Sequence, residues 1–238
     1  MRRLYLVSLI LALVWSVAFC DEKMPPAHWK FDEASGSTVK DGSGNDNGMI
    51  HGATWVTGKS GAALYFDGID DQVVMSPKQA LTSKGFSISA WIYPEKAAGQ
   101  QAIFSNGGSG VKGSGISFLV GDRMCIWMFD ESGKRINGVT SKVIATAKVA
   151  TRRSLFLMVK RGFLYHNGRK CSEFSCGGFN AGANRIAIGR GCFGNIWQFH
   201  GAIDELMIGY KALADEEVSS LYEINKSASP APELLQKE

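Results

Sequence analysis

The feature that most constrains this chain is a series of short runs rich in β-branched and aromatic residues, each bounded by Gly, Asn, Asp or Ser. In the clearest run, residues 86–93, side chains alternate with the period of two that is typical of a strand in a sheet. Similar runs predict strands at residues 62–66, 72–75, 102–104, 116–120, 124–129, 155–159, 163–166, 185–188 and 202–208. Many short strands without alternating helices favour an antiparallel sandwich over a parallel α/β fold.

Two further local signals complete this prediction. Asn167 and Gly168 follow one of the runs and predict a two-residue hairpin turn, because both turn positions need positive φ. Residues 214–222 predict a helix, since three acidic residues occupy the first turn and Val218 and Leu221 fall on one face. The fold class is therefore all-β, a two-sheet antiparallel jelly-roll sandwich with one short C-terminal helix. Residues 226–238 are polar and predict a flexible tail.

The first twenty residues differ from the rest and predict a secretory signal peptide. Arg2 and Arg3 precede an apolar run at 4–19, which is shorter than the roughly twenty residues of a membrane span. Small residues favour cleavage after Ala18; the alternatives are a lipoprotein signal with lipid on Cys20 and an uncleaved anchor. We expect a secreted or cell-envelope protein (periplasm or outer surface) with no membrane span in the mature chain.

The charge balance excludes one class of partner. The formal net charge is +4, and it falls to +2 when Arg2 and Arg3 leave with the signal. Most of the basic excess is thus targeting sequence, and nothing in the remaining charge indicates a nucleic-acid partner.

The chain has five cysteines, and four of them remain once Cys20 is lipidated or removed. These are the disulfide candidates Cys125, Cys171, Cys176 and Cys192. An exported protein can oxidise them, and the close spacing of the last three favours a bridge among these three. A zinc site and free buried thiols are the alternatives.

Five blocks of sequence resemble laminin G-like (concanavalin A-like lectin/glucanase) jelly rolls, and they follow the family order over roughly residues 28–225. The blocks are HWKFDE at 28–33, GKSGAAL running into FDGIDD at 58–71, FSISAWI at 86–92, YHNG at 165–168 and GAIDEL at 201–206. The resemblance implies one domain at 27–225 with two antiparallel sheets, often a structural calcium, and a carbohydrate- or protein-binding role in exported proteins. Ala214 departs from the family, in which a Ser or Thr cap is common there.

A calcium site is predicted in the Gly-rich loop at 41–47. Oxygen-bearing side chains, including Asp41 and Asn45, occupy every second position, and calcium takes six to eight oxygen ligands. The family brings the chain ends together, which implies that Asp204 joins this loop, and Asp67 is a further candidate. The alternative is plain turns, which use the same residue types.

A ligand surface is predicted in the loops. Sugar rings stack on flat aromatic faces and polar side chains read their hydroxyls, which favours Trp197 and Phe199 in the loop at 191–200 and Asn106 at the start of the loop at 106–115. Core packing is the alternative for any aromatic residue, and it is the expectation for Trp91 and Trp127 on strands.

Catalysis is not expected. A glycosidase needs two carboxyl groups flanking the scissile bond, yet no E-x-D-x-E run is present, and adjacent acids such as Asp204 and Glu205 point to opposite faces of a regular strand. The sequence therefore predicts a non-catalytic binding module for glycans or glycosylated surfaces, with a structural calcium. The alternatives are an adhesive, protein-binding module of the cell envelope, whose partner is a cell-surface protein, and a diverged glycoside hydrolase.

Overall fold

The computed structural model describes residues 26–44, 46–76, 81, 85–96, 99–107, 115–121, 123–139, 154–159, 162–174, 185–191 and 196–226. Several predicted features lie outside them: the signal segment with Cys20, the tail beyond residue 226, and the candidate site residues Asn45, Cys176 and Cys192. Within the described ranges, no helix has the length and apolar character needed to cross a membrane.

The described residues form sixteen strands and one helix. The strands are β1 (Ala27–Trp29), β2 (Thr38–Val39), β3 (Gly48–His51), β4 (Thr54–Thr57), β5 (Ala62–Asp67), β6 (Gln72–Met75), β7 (Ser87–Pro94), β8 (Gln101–Asn106), β9 (Ile116–Val120), β10 (Cys125–Phe129), β11 (Arg135–Val139), β12 (Ser154–Val159), β13 (Phe163–His166), β14 (Arg169–Glu173), β15 (Ile186–Ile188) and β16 (His200–Gly209). The helix α1 is Asp215–Lys226, which extends one turn beyond the predicted end at residue 222.

The strands build two antiparallel sheets of eight strands each. The first sheet has the order β14-β13-β12-β7-β16-β5-β4, and β1 also pairs with β16. The second sheet has the order β11-β10-β9-β8-β15-β6-β3-β2. This architecture confirms the predicted all-β jelly-roll sandwich with one short helix.

The alternating run at 86–93 shows how the pattern produces the fold. It forms β7, in the interior of the first sheet between β12 and β16. Ile88, Ala90 and Ile92 lie in the core between the sheets, whereas Trp91 points to the opposite face and packs beneath α1. Each of the two isoleucine side chains contributes about 1.5–3 kcal/mol when fully buried.

Helix α1 covers part of the outer face of the first sheet. Val218 and Leu221 are buried against Trp91 and Tyr165, which confirms the predicted apolar face. The side chain of Glu217 accepts a hydrogen bond from the backbone N–H of Ala214 at 2.7 Å. This contact is one half of a capping box, and Ala214 lacks the side-chain oxygen that would supply the other half.

A bulge interrupts β16 at its pair of adjacent acidic residues. The pairing of β16 with β7 shifts register between Asp204 and Met207, and Glu205 has a φ of 51°. Positive φ is uncommon for a residue with a side chain, and bulges re-aim side chains at the edges of regular pairing. The alternation that would send Asp204 and Glu205 to opposite faces is therefore broken at this pair.

Candidate functional site

The bulge lies where two strands share one flank of β16. Strand β5 pairs with β16 as far as Ile203, and β1 takes over from Leu206 onward. Asp204 and Glu205 fall between these two pairings, and both are buried. The family resemblance implied that the chain ends meet here, and β1 does pair with β16.

Asp204 organises the loop that precedes β5. One carboxylate oxygen accepts hydrogen bonds from the backbone N–H groups of Lys59 at 2.6 Å and Ser60 at 3.2 Å. The other oxygen accepts from the backbone N–H of Glu205 at 2.8 Å. Because these donors sit in a water-poor site, the carboxylate satisfies backbone groups that would otherwise be costly to bury.

Asp41 and Glu205 are linked at the same junction through His28. The His28 side-chain Nε2 lies 2.5 Å from the Glu205 carboxylate, and the His28 backbone N–H donates to Asp41 at 2.8 Å. Asp41 also accepts the backbone N–H of Ser43 at 3.1 Å and contacts the Ser43 hydroxyl. These contacts fasten the first strand and its following loop to the last strand.

The junction concentrates negative charge in a buried place. Burial raises the pKa of Asp204 well above its ordinary value, and the nearby carboxylates of Glu205 and Asp32 raise it further. The pKa of Asp32 is also raised, mainly by burial, although its hydrogen bond from the backbone N–H of Ala62 opposes the shift. Both shifts mean that the charged carboxylates are held at a free-energy cost.

A second acidic group lies at the far end of β5. One carboxylate oxygen from each of Asp67, Asp70 and Asp71 lies within 4.8 Å of the other two. Among the described residues, this is the group of three potential metal ligands that lie so close together. Asp67 accepts the backbone N–H of Ile69, and Asp71 accepts that of Asp67, both at 2.8 Å. The sequence grouped Asp67 with Asp41 and Asp204 in one calcium site, and the structure corrects this grouping. Asp67 lies beside His200, at the opposite end of β5 from the junction.

An aromatic pair lies on the outward face of the second sheet. Ile126 and Met128 of β10 point into the core, so the alternate residue Trp127 points outward. Its ring meets that of Trp197 edge to face, with centroids 4.6 Å apart, and both residues are half-buried. Trp197 has a φ of 59°, and its carbonyl accepts the backbone N–H of Ala102 at 2.7 Å.

Arg135 completes this surface, which we call the indole platform (Trp127, Trp197 and Arg135). The guanidinium carbon of Arg135 lies 4.5 Å from the centroid of the Trp127 ring, within the range of a cation–π contact. The arrangement combines flat apolar faces with a planar set of hydrogen-bond donors.

Two predicted ligand residues occupy other positions. Phe199 is fully buried and packs edge to face on Phe66, so its ring belongs to the core and offers no face to a ligand. Asn106 is also buried, and its side chain donates to the carbonyl of Arg185 at 3.4 Å, which ties β8 to the residue before β15. The predicted set therefore reduces to Trp197.

The two cysteines in the described residues occupy different settings. Cys125 is a buried free thiol whose pKa is raised by burial, which disfavours the reactive thiolate. Cys171 is half-buried on β14, and its Sγ lies 3.3 Å from the carbonyl of Arg169. A bridge involving Cys176 or Cys192 stays a prediction.

Sequence reasoning missed several residues of these sites. Trp127 was expected in the core, although the apolar residues on either side of it already indicated that it faces the other way. His28 and Asp70 lie in the family-like blocks at 28–33 and 58–71, but nothing in those blocks marked them as site residues. Arg135 carried no distinguishing pattern, because Trp127 and Trp197 come from another strand and a distant loop.

The family model of the concanavalin A-like lectin/glucanases superfamily matches residues 66–219 of this chain. No curated protein matches the chain significantly.

Solved structures with the same fold include domain 4 of AbnA, an extracellular GH43 arabinanase from Geobacillus stearothermophilus, in complex with arabinotriose. It has a TM-score of 0.66 and 24% identity, and the match covers 82% of this chain and 97% of that one. The receptor-binding domain of botulinum neurotoxin type G is also similar, with a TM-score of 0.60, 16% identity, and coverage of 83% of this chain and 50% of that one. The botulinum neurotoxin serotype D binding domain has a TM-score of 0.62 and 16% identity, and the match covers 83% of this chain and 50% of that one. The present chain therefore spans about half the length of these toxin domains.

Proposed function

The chain belongs to the concanavalin A-like lectin/glucanase superfamily, and from that premise we propose that it is an exported, non-catalytic module that binds glycans or glycosylated surfaces through the indole platform. The apolar segment at 4–19 supports export to the secreted or cell-envelope space, with Cys20 as the lipid site if the signal is of the lipoprotein type.

The observation that carries this proposal is the outward pair of Trp127 and Trp197. Aromatic rings in a sandwich are normally taken up by the core, yet these two lie outside the main core and remain half-exposed. Sugar rings stack on indole faces that are open to solvent. Arg135 covers one face of Trp127, and its guanidinium is a planar donor for hydroxyl or carboxylate oxygens at that point. The left-handed backbone of Trp197 is a conformation of the kind that clusters at ligand sites.

The shared fold adds support for a binding role. The arabinanase domain with this fold was solved with arabinotriose, and the toxin domains are receptor-binding domains. An arabinose oligosaccharide is therefore the first probe for this chain, followed by a wider glycan panel.

The state of the buried carboxylates supports the absence of catalysis. Asp204 is occupied by backbone N–H groups of Lys59, Ser60 and Glu205, and Glu205 is paired with His28. These contacts hold the fold together at a strand junction, and this structural role accounts for both buried carboxylates without catalysis. Release of reducing ends from any polysaccharide incubated with the protein would overturn this part of the proposal and favour a diverged hydrolase.

Glycan binding can be tested by array screening followed by calorimetry. We expect Trp127→Ala to weaken binding by up to about tenfold, since a stacked aromatic ring contributes about 0.5–1.5 kcal/mol and 1.4 kcal/mol corresponds to tenfold. The matched control is Trp55→Ala, because Trp55 is also half-buried but lies on β4 of the other sheet. An array that is silent on glycans while a cell-surface protein is captured would favour the protein-binding alternative.

We also propose that the module carries a structural calcium, at the turn formed by Asp67, Asp70 and Asp71. Three carboxylate oxygens within 4.8 Å of one another suit a hard cation that takes six to eight oxygen ligands. Calcium should then raise the melting temperature and a chelator should lower it, by mass action on the folded state. Asp70→Asn should abolish the difference in melting temperature with and without calcium, and Glu131→Gln should preserve it. A melting temperature of the unmodified protein that does not change with calcium contradicts the site.

A further inference from the structure

A polar cleft of about 470 Å³ lies on the outer face of the first sheet, between the β13–β14 hairpin and helix α1. This volume is within the roughly 300–1,000 Å³ of small-molecule sites. The indole platform lies on the other sheet, so the cleft is a separate place on the molecule. The Asn167–Gly168 motif that the sequence predicted as a turn forms one wall, and the proposed function makes no use of it.

The aromatic side of the cleft is Tyr222. Its ring stacks on that of Trp91, with centroids 6.0 Å apart and planes at 25°. This contact with the sheet holds the Tyr222 ring in position. Gly168 has a φ of 74°, and a Cβ built on it would lie 3.0 Å from the Cβ of Tyr222. The turn glycine therefore allows the hairpin to approach the tyrosine closely.

The walls of the cleft are held together before any ligand arrives. The Tyr165 hydroxyl donates to Asp215 at 2.5 Å, and the Lys170 ammonium lies 3.0 Å from the same carboxylate. The Ser219 hydroxyl lies 3.2 Å from the carbonyl of Gly168 and 3.0 Å from that of Asp215, and its single proton serves one of these acceptors at a time. A site that is already ordered loses little conformational entropy on binding.

The charged groups of the cleft indicate the class of ligand. Arg169 lies on the hairpin wall and Glu223 on the helix wall, and both are exposed. One cation and one anion balance, so neither an anionic nor a cationic ligand is favoured overall. Hydroxyl groups both donate and accept, and they suit the carboxylate and the guanidinium together.

We propose that this cleft is a second carbohydrate site, which binds a neutral oligosaccharide with one ring on Tyr222 and hydroxyls on Arg169 and Glu223. His166 is half-buried in the same lining and adds a further hydrogen-bonding side chain. The inference does not depend on the indole platform, because the two sites share no residue.

The test is an NMR titration of the ¹⁵N-labelled protein with the neutral trisaccharides cellotriose, maltotriose and xylotriose. We expect saturable shifts at the backbone amides of Gly168, Ser219 and Glu223 with at least one of them. Arg169→Gln and Glu223→Gln should each weaken this binding about tenfold or more, as expected for the loss of a hydrogen bond to a charged group. Glu216→Gln is the matched control, since Glu216 is exposed on the same helix and does not line the cleft.

The possible outcomes separate this inference from the proposed function. Shifts at the cleft amides that weaken in the two variants and persist in the control support the second site. Shifts confined to the indole N–H signals of Trp127 and Trp197 support the platform and overturn the cleft. Tighter cleft binding of trigalacturonic acid than of every neutral trisaccharide overturns the ligand class, and no saturable change at the cleft amides overturns the site.

Discussion

Replacement of Asp204 by alanine tests the role of the buried junction. The substitution leaves the backbone N–H groups of Lys59, Ser60 and Glu205 without their acceptor. Each buried donor left unsatisfied costs about 1–3 kcal/mol. Burial and the charges of Glu205 and Asp32 already disfavour the Asp204 carboxylate. Its removal therefore offsets part of this cost. We expect a net loss of about 3 kcal/mol, a large share of the roughly 5–15 kcal/mol that stabilises a typical domain.

Asp204→Asn separates the acceptor role from the charge. The amide keeps one oxygen for the loop donors and removes the repulsion between carboxylates, so its cost should be about half that of the alanine variant. Urea unfolding followed by tryptophan fluorescence measures both values, with Glu131→Ala as an exposed control expected within about 0.5 kcal/mol of the unmodified protein. If Asp204→Ala costs no more than that control, the idea that Asp204 fastens the loop at 58–61 is wrong.

Three more predictions concern the helix and the core. Ala214→Ser should add about 1 kcal/mol, and about 2–4 °C in melting temperature, because the new hydroxyl completes the capping box with Glu217; an unchanged melting curve contradicts this. The pKa of Asp215 is lowered by its contacts with a tyrosine hydroxyl and a lysine, so its stabilising effect is present above the ordinary value of 3.8 and is lost as the pH falls through the lowered pKa. Melting curves across pH should accordingly show that the loss of melting temperature caused by Asp215→Asn becomes smaller below pH 3.8. A loss that becomes larger there would contradict the stabilising role of the charged Asp215 carboxylate. Gly189→Ala should cost about 3 kcal/mol in urea unfolding, since φ is 79° and the new methyl group would overlap the ring of Phe66; a cost below about 0.5 kcal/mol would count against the packing described.

The alternating and apolar runs of the sequence were sufficient for most of the fold. Each of the ten predicted strands is present, and residues 86–93 form a strand in the interior of the first sheet. Period-two patterning is a local property, because a strand with two buried faces needs alternate residues to suit each face. The hairpin turn was equally local, since Asn167 and Gly168 adopt the positive φ values of 51° and 74° that the motif requires.

The six described strands that sequence reasoning missed are β1, β2, β3, β4, β11 and β14, and the two shortest of them exist because of their partners. Strand β2 has two residues and β1 has three, too few for any period to show. The pairing of β1 with β16 joins residues about 180 positions apart in the chain, as between Ala27 and Ile208. Such contacts are specified by the packed sandwich and leave no mark within a short window of sequence.

For the candidate sites, the sequence by itself determined which side chains were available and the tertiary structure decided which of them meet. It supplied Trp197 as an exposed aromatic and Asp204 as a carboxylate at the chain closure. Only the folded sheets brought Trp127 and Arg135 to Trp197, and only the bulge at Glu205 turned Asp204 toward the loop at 58–61. The physical reason is that each site combines residues from separate strands and loops, whose side-chain directions depend on register, bulges and φ values that arise when the two sheets pack.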